Sequence, residues 1–188
     1  ADIDVTVRLN TSTDDSNTAE ADDIGSFVVT LADGVTVVNA NSDGTYTIPA
    51  GQTELKVTVP TTDDDVYEGD ETFTVAVQGD TGVLGSDSAL GIIYDGGNGP
   101  DPDPDDDRPS VSIVEDSVGV NEGTEAVYTV KLSAAADIDV TVRLNTSTDG
   151  SNTAEADDIG SFVVTLADGV TVVSANSDGT YTIPAGQT

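Results

Sequence analysis

Residues 54–77 read ELKVTVPTTDDDVYEGDETFTVAV, which is two strand-like segments joined by an acidic turn. Apolar residues alternate with polar ones over 55–59 before the turn and over 73–77 after it. Alternation with a period of two predicts strands that have one buried face. The fold is therefore expected to consist of short strands, with the acidic turn at the end of a strand pair.

The turn itself, at 61–73, has six carboxylates within nine positions and contains neither Lys nor Arg. Like charges this close repel one another in a compact chain. Carboxylate oxygens are the ligands that Ca²⁺ prefers, and Ca²⁺ takes about six to eight oxygens. The turn is either a solvated loop or part of a calcium site, and acidic clusters at matching places in the repeat described below favour calcium. The candidate ligands in the turn are Asp63, Asp64, Asp65, Glu68, Asp70 and Glu71.

The composition narrows the possible functions. The 188 residues include 36 Asp and Glu against 5 Lys and Arg, so the formal charge is −31. This acidity excludes partners that need a basic surface, such as nucleic acid or an anionic membrane. The chain has no Cys, His, Met or Trp, which removes disulfides and most transition-metal and nucleophile chemistry. A glycosidase-type carboxylate pair would be the remaining enzymatic option, and we expect no enzyme. No apolar run approaches the roughly 20 residues of a membrane span, so direct membrane insertion is not expected.

An internal repeat organises the chain. Residues 1–53 recur as residues 136–188 and differ only at two pairs of positions, namely Asp15 against Gly150 and Asn39 against Ser174. The period of 135 residues fits whole domains in tandem rather than solenoid units. Near-identical neighbouring domains indicate one shared task, such as that of a spacer.

The period also predicts the domain boundaries. Residues 1–95 are expected to be the C-terminal part of one repeat, 96–108 an acidic Pro/Gly linker, and 109–188 the N-terminal part of the next repeat. The chain would then be a fragment cut out of frame, with its partial repeats closing on each other or completed end to end by a neighbouring chain. The expected partners are therefore neighbouring repeats of the same chain and strand-completing contacts between chains.

Thirteen strands are predicted from period-two alternation and from enrichment in Val, Ile and Thr. They are 3–9, 26–31, 35–38, 45–48, 54–59, 72–77, 89–94, 110–114, 125–132, 138–144, 161–166, 170–173 and 180–183. Asp-Gly pairs such as Asp33-Gly34 provide the residues of hairpin turns. This pattern predicts an all-β protein, built as antiparallel Ig-like β-sandwich repeats.

In the frame of the repeat, the chain reads SVSIVEDSVGVNEGTEAVYTVKLS, then VTVRLNTSTD with NTAEADD, then GTYTIPAGQTELKVTVPTTDDDVYEGDETFTVAV. This order resembles the Calx-beta domain, a calcium-binding β-sandwich, over nearly the whole repeat. The most specific pieces are IPAGQT before a strand and DDDVYEGDETF after it. Long arrays of nearly identical acidic domains of this type are similar to the extender regions of large RTX-type bacterial adhesins. The resemblance implies an extracellular spacer on a bacterial cell surface, stiffened by Ca²⁺ at its domain ends.

The resemblance also implies a set of calcium ligands at one end of the sandwich. They come from a Glu after the first strand, an Asp in the TA-x-x-D loop, the acidic run before E-x-x-E and aspartates that end the last strand. In this sequence they are Glu122; Asp22 and Asp23, with copies Asp157 and Asp158; Asp63, Asp64, Glu68 and Glu71; and Asp95 or Asp105, Asp106 and Asp107. The last group is left as alternatives, because a Gly/Pro stretch separates Asp95 from the other three, whereas the family's terminal acidic run follows the last strand directly.

The expected function is a calcium-binding structural extender, in which coordination replaces repulsion between clustered carboxylates. Two alternatives stay open. A salt-adapted surface domain would spread its carboxylates, whereas these cluster in loops and in the linker. A ligand-binding adhesin module, for carbohydrate, ice or protein, would use Thr-x-Thr steps such as Thr45–Thr47, although Thr is also a common residue of solvent-facing strands.

Overall fold

The computed structural model describes residues 2–14, 16–100, 106–116, 119–149 and 152–188. The chain divides into two compact units. The first comprises residues 1–65 and 69–105, and the second comprises residues 66–68 and 106–188. The described residues form antiparallel strands, turns and loops and contain no helix, which confirms the predicted all-β class.

The first unit contains two antiparallel sheets. Its strands are β1 (Val5–Ser12), β2 (Val28–Leu31), β3 (Tyr46–Ile48), β4 (Leu55–Thr58), β5 (Glu71–Gly79) and β6 (Ser86–Ile93). Strands β3, β1, β5 and β6 form a four-stranded sheet in that order, and β2 pairs with β4. Apolar residues of both sheets line one cleft, so the unit has the two layers of a β-sandwich.

The core of the first unit lies along β1, β2 and β5. Val7, Val29 and Phe73 are buried there. Phe73 lies opposite Gly91 in the β5–β6 ladder, and a Cβ atom at Gly91 would lie 2.3 Å from Phe73 Cζ. Glycine therefore leaves the space that the ring occupies.

The second unit contains β7 (Val111–Glu115), β8 (Tyr128–Leu132), β9 (Val140–Val142), β10 (Val164–Thr165), β11 (Val172–Val173) and β12 (Tyr181–Ile183). These strands pair as three antiparallel two-stranded ladders, β7–β8, β9–β12 and β10–β11. Leu132 and Ala136 are buried, whereas Ile113 and Val172 are among the many exposed apolar side chains. The ladders therefore leave much of their apolar surface open to solvent.

Twelve of the thirteen predicted strands are present, with shifted ends. The prediction of a strand at 35–38 is wrong, because Val37 makes only an isolated bridge to Thr30. The Asp33 carboxylate accepts hydrogen bonds from the N–H groups of Val35 at 2.9 Å and Thr36 at 2.8 Å, which fixes a turn before Val37. Asp168 makes the same hydrogen bonds in the second copy, where Val172–Val173 does pair as a short strand, so this turn is not what removes the strand.

Candidate metal centre

The loop between β1 and β2 is fixed to the start of β5. The N–H groups of Thr18 and Ala19 both donate to the Thr72 carbonyl oxygen, at 3.2 and 3.1 Å. The Thr72 N–H donates in turn to Thr18 Oγ1 at 3.0 Å, and the Thr74 hydroxyl donates to Asn17 Oδ1 at 3.0 Å. Ala19 itself is buried. The first half of the loop is therefore held in register with β5.

The second half of the loop is fixed to the segment that follows β4. The Gly25 N–H donates to the Pro60 carbonyl oxygen at 2.9 Å, and the Thr62 N–H donates to the Asp23 carbonyl oxygen at 2.8 Å. The Thr62 hydroxyl donates to the Asp22 carbonyl oxygen at 2.5 Å. With both halves anchored, the loop holds its acidic residues beside the first residues of β5.

Four carboxylates meet where these two sets of hydrogen bonds come together. Oxygen atoms of Glu20, Asp23, Glu68 and Glu71 all lie within 4.8 Å of one another. Glu71 is the first residue of β5 and is 7% exposed, Asp23 and Glu68 are half-buried, and Glu20 is exposed. The Glu20 N–H also donates to Asp23 Oδ2, which ties these two ligand candidates into one turn.

The donor set fits a hard divalent cation. Two oxygens bound to one Ca²⁺ at about 2.3–2.6 Å lie at most about 5 Å apart, and the carboxylate oxygens satisfy this limit. Within the described ranges, this cluster is the one group of three or more Asp, Glu, His or Cys side chains that is arranged to hold a metal ion.

Other predicted ligands of the first unit occupy different places. Asp63, Asp64, Asp65 and Asp70 are exposed in the acidic turn, and the Asp22 side chain is exposed as well. Asp95 is half-buried, and its Oδ2 accepts a hydrogen bond from the Gly69 N–H at 2.8 Å. Gly69 has a φ of 83°, a conformation that suits glycine. Asp95 thus fixes the backbone just before Glu71.

The remaining predicted ligands lie in or next to the second unit. Glu122 is exposed in the turn between β7 and β8, and the loop that carries Asp157 and Asp158 is exposed too. Asp158 Oδ2 accepts a hydrogen bond from the Glu155 N–H at 2.8 Å, so the turn seen at Glu20 and Asp23 recurs in the matching loop. Asp107 is half-buried, and Asp105 lies outside the described residues.

Asp106 has a cationic neighbour. Arg108 Nε donates to Asp106 Oδ1 and Arg108 Nη2 donates to Asp106 Oδ2, both at 2.6 Å. These hydrogen bonds lower the pKa of Asp106 and raise the pKa of Arg108. Both side chains are largely exposed, so this ion pair contributes little to stability.

Sequence reasoning missed Glu20. The TA-x-x-D pattern points to Asp22, but the clustered carboxylates are those of Glu20 and Asp23. The three-residue spacing from Glu20 to Asp23 was a usable signal, because an Asp side chain readily caps a backbone N–H three residues away. The hydrogen bonds that anchor the loop decide that Asp23, and not Asp22, joins the cluster.

Comparison with known proteins identifies the family. The sequence profile of the Calx-beta domain matches residues 1–91 and 104–173, which is most of the chain. No curated protein and no solved structure gives a significant match. In the part of the chain that the structure describes, no helix has the length and apolar character needed to cross a membrane. Calx-beta domains are non-enzymatic β-sandwiches that often bind Ca²⁺ and are typically extracellular or surface-exposed. The chain belongs to the Calx-beta domain family.

Proposed function

We propose that this chain is a calcium-binding structural extender of a bacterial cell-surface adhesin, with Ca²⁺ held by Glu20, Asp23, Glu68 and Glu71. The observation that carries the proposal is the convergence of these four carboxylates around the buried Glu71. Bound Ca²⁺ would place two positive charges among the four carboxylates and take their oxygens as ligands. The anchored loop carries Glu20 and Asp23, Glu71 is the first residue of β5, and the acidic turn carries Glu68.

Calcium binding would contribute directly to the stability of the fold around the four carboxylates. A cation that binds the folded state alone stabilises it by about 2.7 kcal/mol when its concentration is one hundred times Kd. Without the cation, mutual repulsion of four carboxylates opposes the contact between the loop and β5. The contact between this loop and β5 should therefore be the calcium-sensitive part of the chain.

Two features support the role of an extender. The sequences of 1–53 and 136–188 differ at two positions, as expected for spacers whose neighbours do the same task. The formal charge of −31 keeps such an array soluble through self-repulsion, and coordination to cations would replace that repulsion where carboxylates cluster. Membership of a family whose domains are typically extracellular or surface-exposed agrees with this location.

The test of calcium binding is thermal unfolding in EDTA, in CaCl₂ and in MgCl₂ at matched ionic strength. The wild type should unfold at a higher temperature in Ca²⁺ alone. Asp23→Asn should abolish most of this shift, whereas the matched control Asp158→Asn, which alters the same turn in the other copy, should keep it. Equal shifts in Ca²⁺ and Mg²⁺ would indicate charge screening of a salt-adapted surface. An Asp23→Asn chain that keeps the full shift would contradict the assigned site.

The extender role needs a measurement of shape. Small-angle scattering should show a distance distribution typical of a stiffer, more rod-like particle in Ca²⁺ than in EDTA, because coordinated loops lose conformational freedom. Asp23→Asn should lose that response, and Asp158→Asn should retain it. A distribution that is identical in both buffers, together with a clear calcium shift in unfolding temperature, would leave a calcium site but remove the stiffening role.

A further inference from the structure

The sequence contains a single Asn-Gly pair, Asn98-Gly99, in the segment that follows β6. The Asn98 side chain is exposed there. An Asn side chain can react with the backbone nitrogen of the next residue, and a following glycine has no Cβ to keep that nitrogen away. Whether the reaction proceeds depends on how firmly the fold holds the side chain and the nitrogen.

The structure holds Asn side chains elsewhere by hydrogen bonds. Asn41 Nδ2 donates to Thr45 Oγ1 at 2.9 Å and to Thr47 Oγ1 at 3.1 Å. Its counterpart in the second unit, Asn176, makes the same two hydrogen bonds. Serine follows both Asn residues in the sequence. A side chain held in this way cannot turn its carbonyl carbon towards the following nitrogen.

The Asp-Gly turns, which could react in the same manner, are held as well. The Gly34 N–H donates to the Leu31 carbonyl oxygen at 2.9 Å, so this nitrogen is already engaged. Hydrogen bonds from Thr36 lower the pKa of Asp33 to about 2, and the carboxylate therefore stays ionised at neutral pH. An ionised carboxylate is a poor target for a nucleophile, so this turn is protected twice.

The pair Asn98-Gly99 lacks restraints of this kind. Among the residues that the structure describes, none forms a hydrogen bond with the Asn98 side chain or with the Gly99 N–H. At the start of the same segment, by contrast, Asp95 Oδ2 accepts the Gly69 N–H at 2.8 Å and Gly96 is buried. The contacts that hold the start of this segment therefore do not extend to Asn98.

We propose that Asn98 is a site of spontaneous deamidation through a cyclic imide. The backbone nitrogen of Gly99 gives up its proton and bonds to Asn98 Cγ, while the bond from Cγ to Nδ2 breaks and ammonia leaves with that proton. Water then opens the ring. Breaking the new bond to Cγ leaves aspartate, whereas breaking the bond from the Asn98 carbonyl carbon to the Gly99 nitrogen leaves isoaspartate. The reaction consumes water, releases ammonia and needs no enzyme.

The reaction changes both charge and chain length at this place. Either product carries a carboxyl group, which is ionised at neutral pH. One negative charge is therefore added to a chain whose formal charge is −31. Isoaspartate also lengthens the main chain by one methylene group before Gly99. An aged chain thus differs from a new one in the segment just after Asp95, and this inference does not depend on the proposed calcium site.

Mass spectrometry of the folded chain, kept in EDTA at mildly alkaline pH, tests the proposal. We expect the mass gain of an NH-to-O exchange to appear with time and to map to residue 98, while Asn41 keeps its amide. Because the Gly99 nitrogen must lose its proton, conversion should be slower in mildly acidic buffer. Gly99→Ala should slow the conversion by roughly tenfold, since its Cβ restricts the approach of the nitrogen.

A matched variant separates the effect of the fold from that of the sequence. Ser42→Gly places a glycine after Asn41, which should keep its amide in the folded chain and lose it in urea. Asn98 should react at a similar rate in both conditions. A folded chain that keeps the Asn98 amide while the chain in urea loses it would overturn the proposal, because the fold would then protect the site. Conversion of Asn41 as fast as Asn98 in the folded Ser42→Gly chain would overturn the role given to the hydrogen bonds.

Discussion

Residues 1–53 and 136–188 are two copies of almost one sequence in two different surroundings. In the first copy, β1 is eight residues long and pairs with β3 on one edge and β5 on the other. In the second copy, the matching strand β9 is three residues long and, among the described strands, pairs with β12. Burial follows the same division, since Val29 is 2% exposed while its counterpart Val164 is only half-buried.

The features that the two copies share form within the repeated sequence itself. The β1–β3 and β9–β12 ladders have the same register, with Val5 opposite Ile48 and Val140 opposite Ile183. The tilted ring pair of the first copy, Phe27 with Tyr46, recurs in the second with the same centroid distance of 5.9 Å. The comparison teaches that the turns and the register of the β1–β3 ladder come from the repeated sequence, whereas burial comes from β4, β5 and β6.

The largest predicted effect comes from a substitution that removes a buried side chain of β5. Phe73→Ala should destabilise the first unit by about 3–5 kcal/mol, the usual cost of deleting a buried aromatic ring. Denaturant unfolding measures this loss. Hydrogen exchange should show the protection of the Val7 amide falling to the level of Val142, so that the two copies become alike. A loss below about 1 kcal/mol would contradict the assignment of Phe73 to the core.

A matched pair of core substitutions sharpens the comparison. Val29→Ala should cost about 2 kcal/mol, because it removes two methyl groups from a fully buried site. Val164→Ala changes the same residue in the second copy and should cost less than half as much, since that side chain is already partly solvated. Both values come from urea titrations of the single variants. Equal costs would mean that the copies are equally packed in solution.

A smaller difference is expected from the two equivalent arginines. Arg8 Nη1 donates to the Asp43 carbonyl oxygen at 2.9 Å, and Arg143 Nη1 makes the same bond to Asp178 at 3.1 Å. Arg8 also forms an ion pair with Asp80, with Nη2 and Oδ1 3.2 Å apart. Arg8→Gln should therefore cost about 0.2–1 kcal/mol more than Arg143→Gln, and the difference should shrink with added salt. A difference that is insensitive to salt would argue against the ion pair as its cause.

The smallest difference is predicted for the pKa values of two equivalent aspartates, which should be lowered in both copies. Hydrogen bonds from Thr36 and Val35 lower the pKa of Asp33 from 3.8 to about 2, and the same arrangement with Thr171 lowers the pKa of Asp168. A lowered pKa in the folded state stabilises the fold above the unfolded value of 3.8, and this stabilisation is lost as the pH falls towards about 2.

An NMR titration of the carboxyl carbons measures both groups in one chain. Asp33 and Asp168 should both titrate below 3.8, and Thr36→Val should raise the pKa of Asp33 as much as Thr171→Val raises that of Asp168. Similar shifts would confirm that this turn is a local property of the sequence. A lowered pKa at Asp33 alone would show that it depends on the first unit's packing.

The candidate site was partly predictable. The acidic turn and the loop near Asp22 and Asp23 stand out in the sequence, and Asp23, Glu68 and Glu71 do cluster as carboxylates in the structure. Glu20 did not stand out, because its place in the cluster depends on hydrogen bonds between its loop and Thr72. Sequence spacing alone does not reveal which residues of an acidic run point inward and which remain in solvent.

By itself, the sequence determined the strand pattern, the 135-residue period, the turn chemistry at Asp33 and the acidic character of the chain. These features depend on backbone preferences and on side chains a few residues apart. Tertiary structure alone decided that 35–38 forms no strand, that Glu71 is buried, and that one copy has a packed core while the other remains open. The physical reason is that burial and carboxylate clustering require partners distant in sequence, such as β5 for β1, and two identical segments acquire different structures when their partners differ.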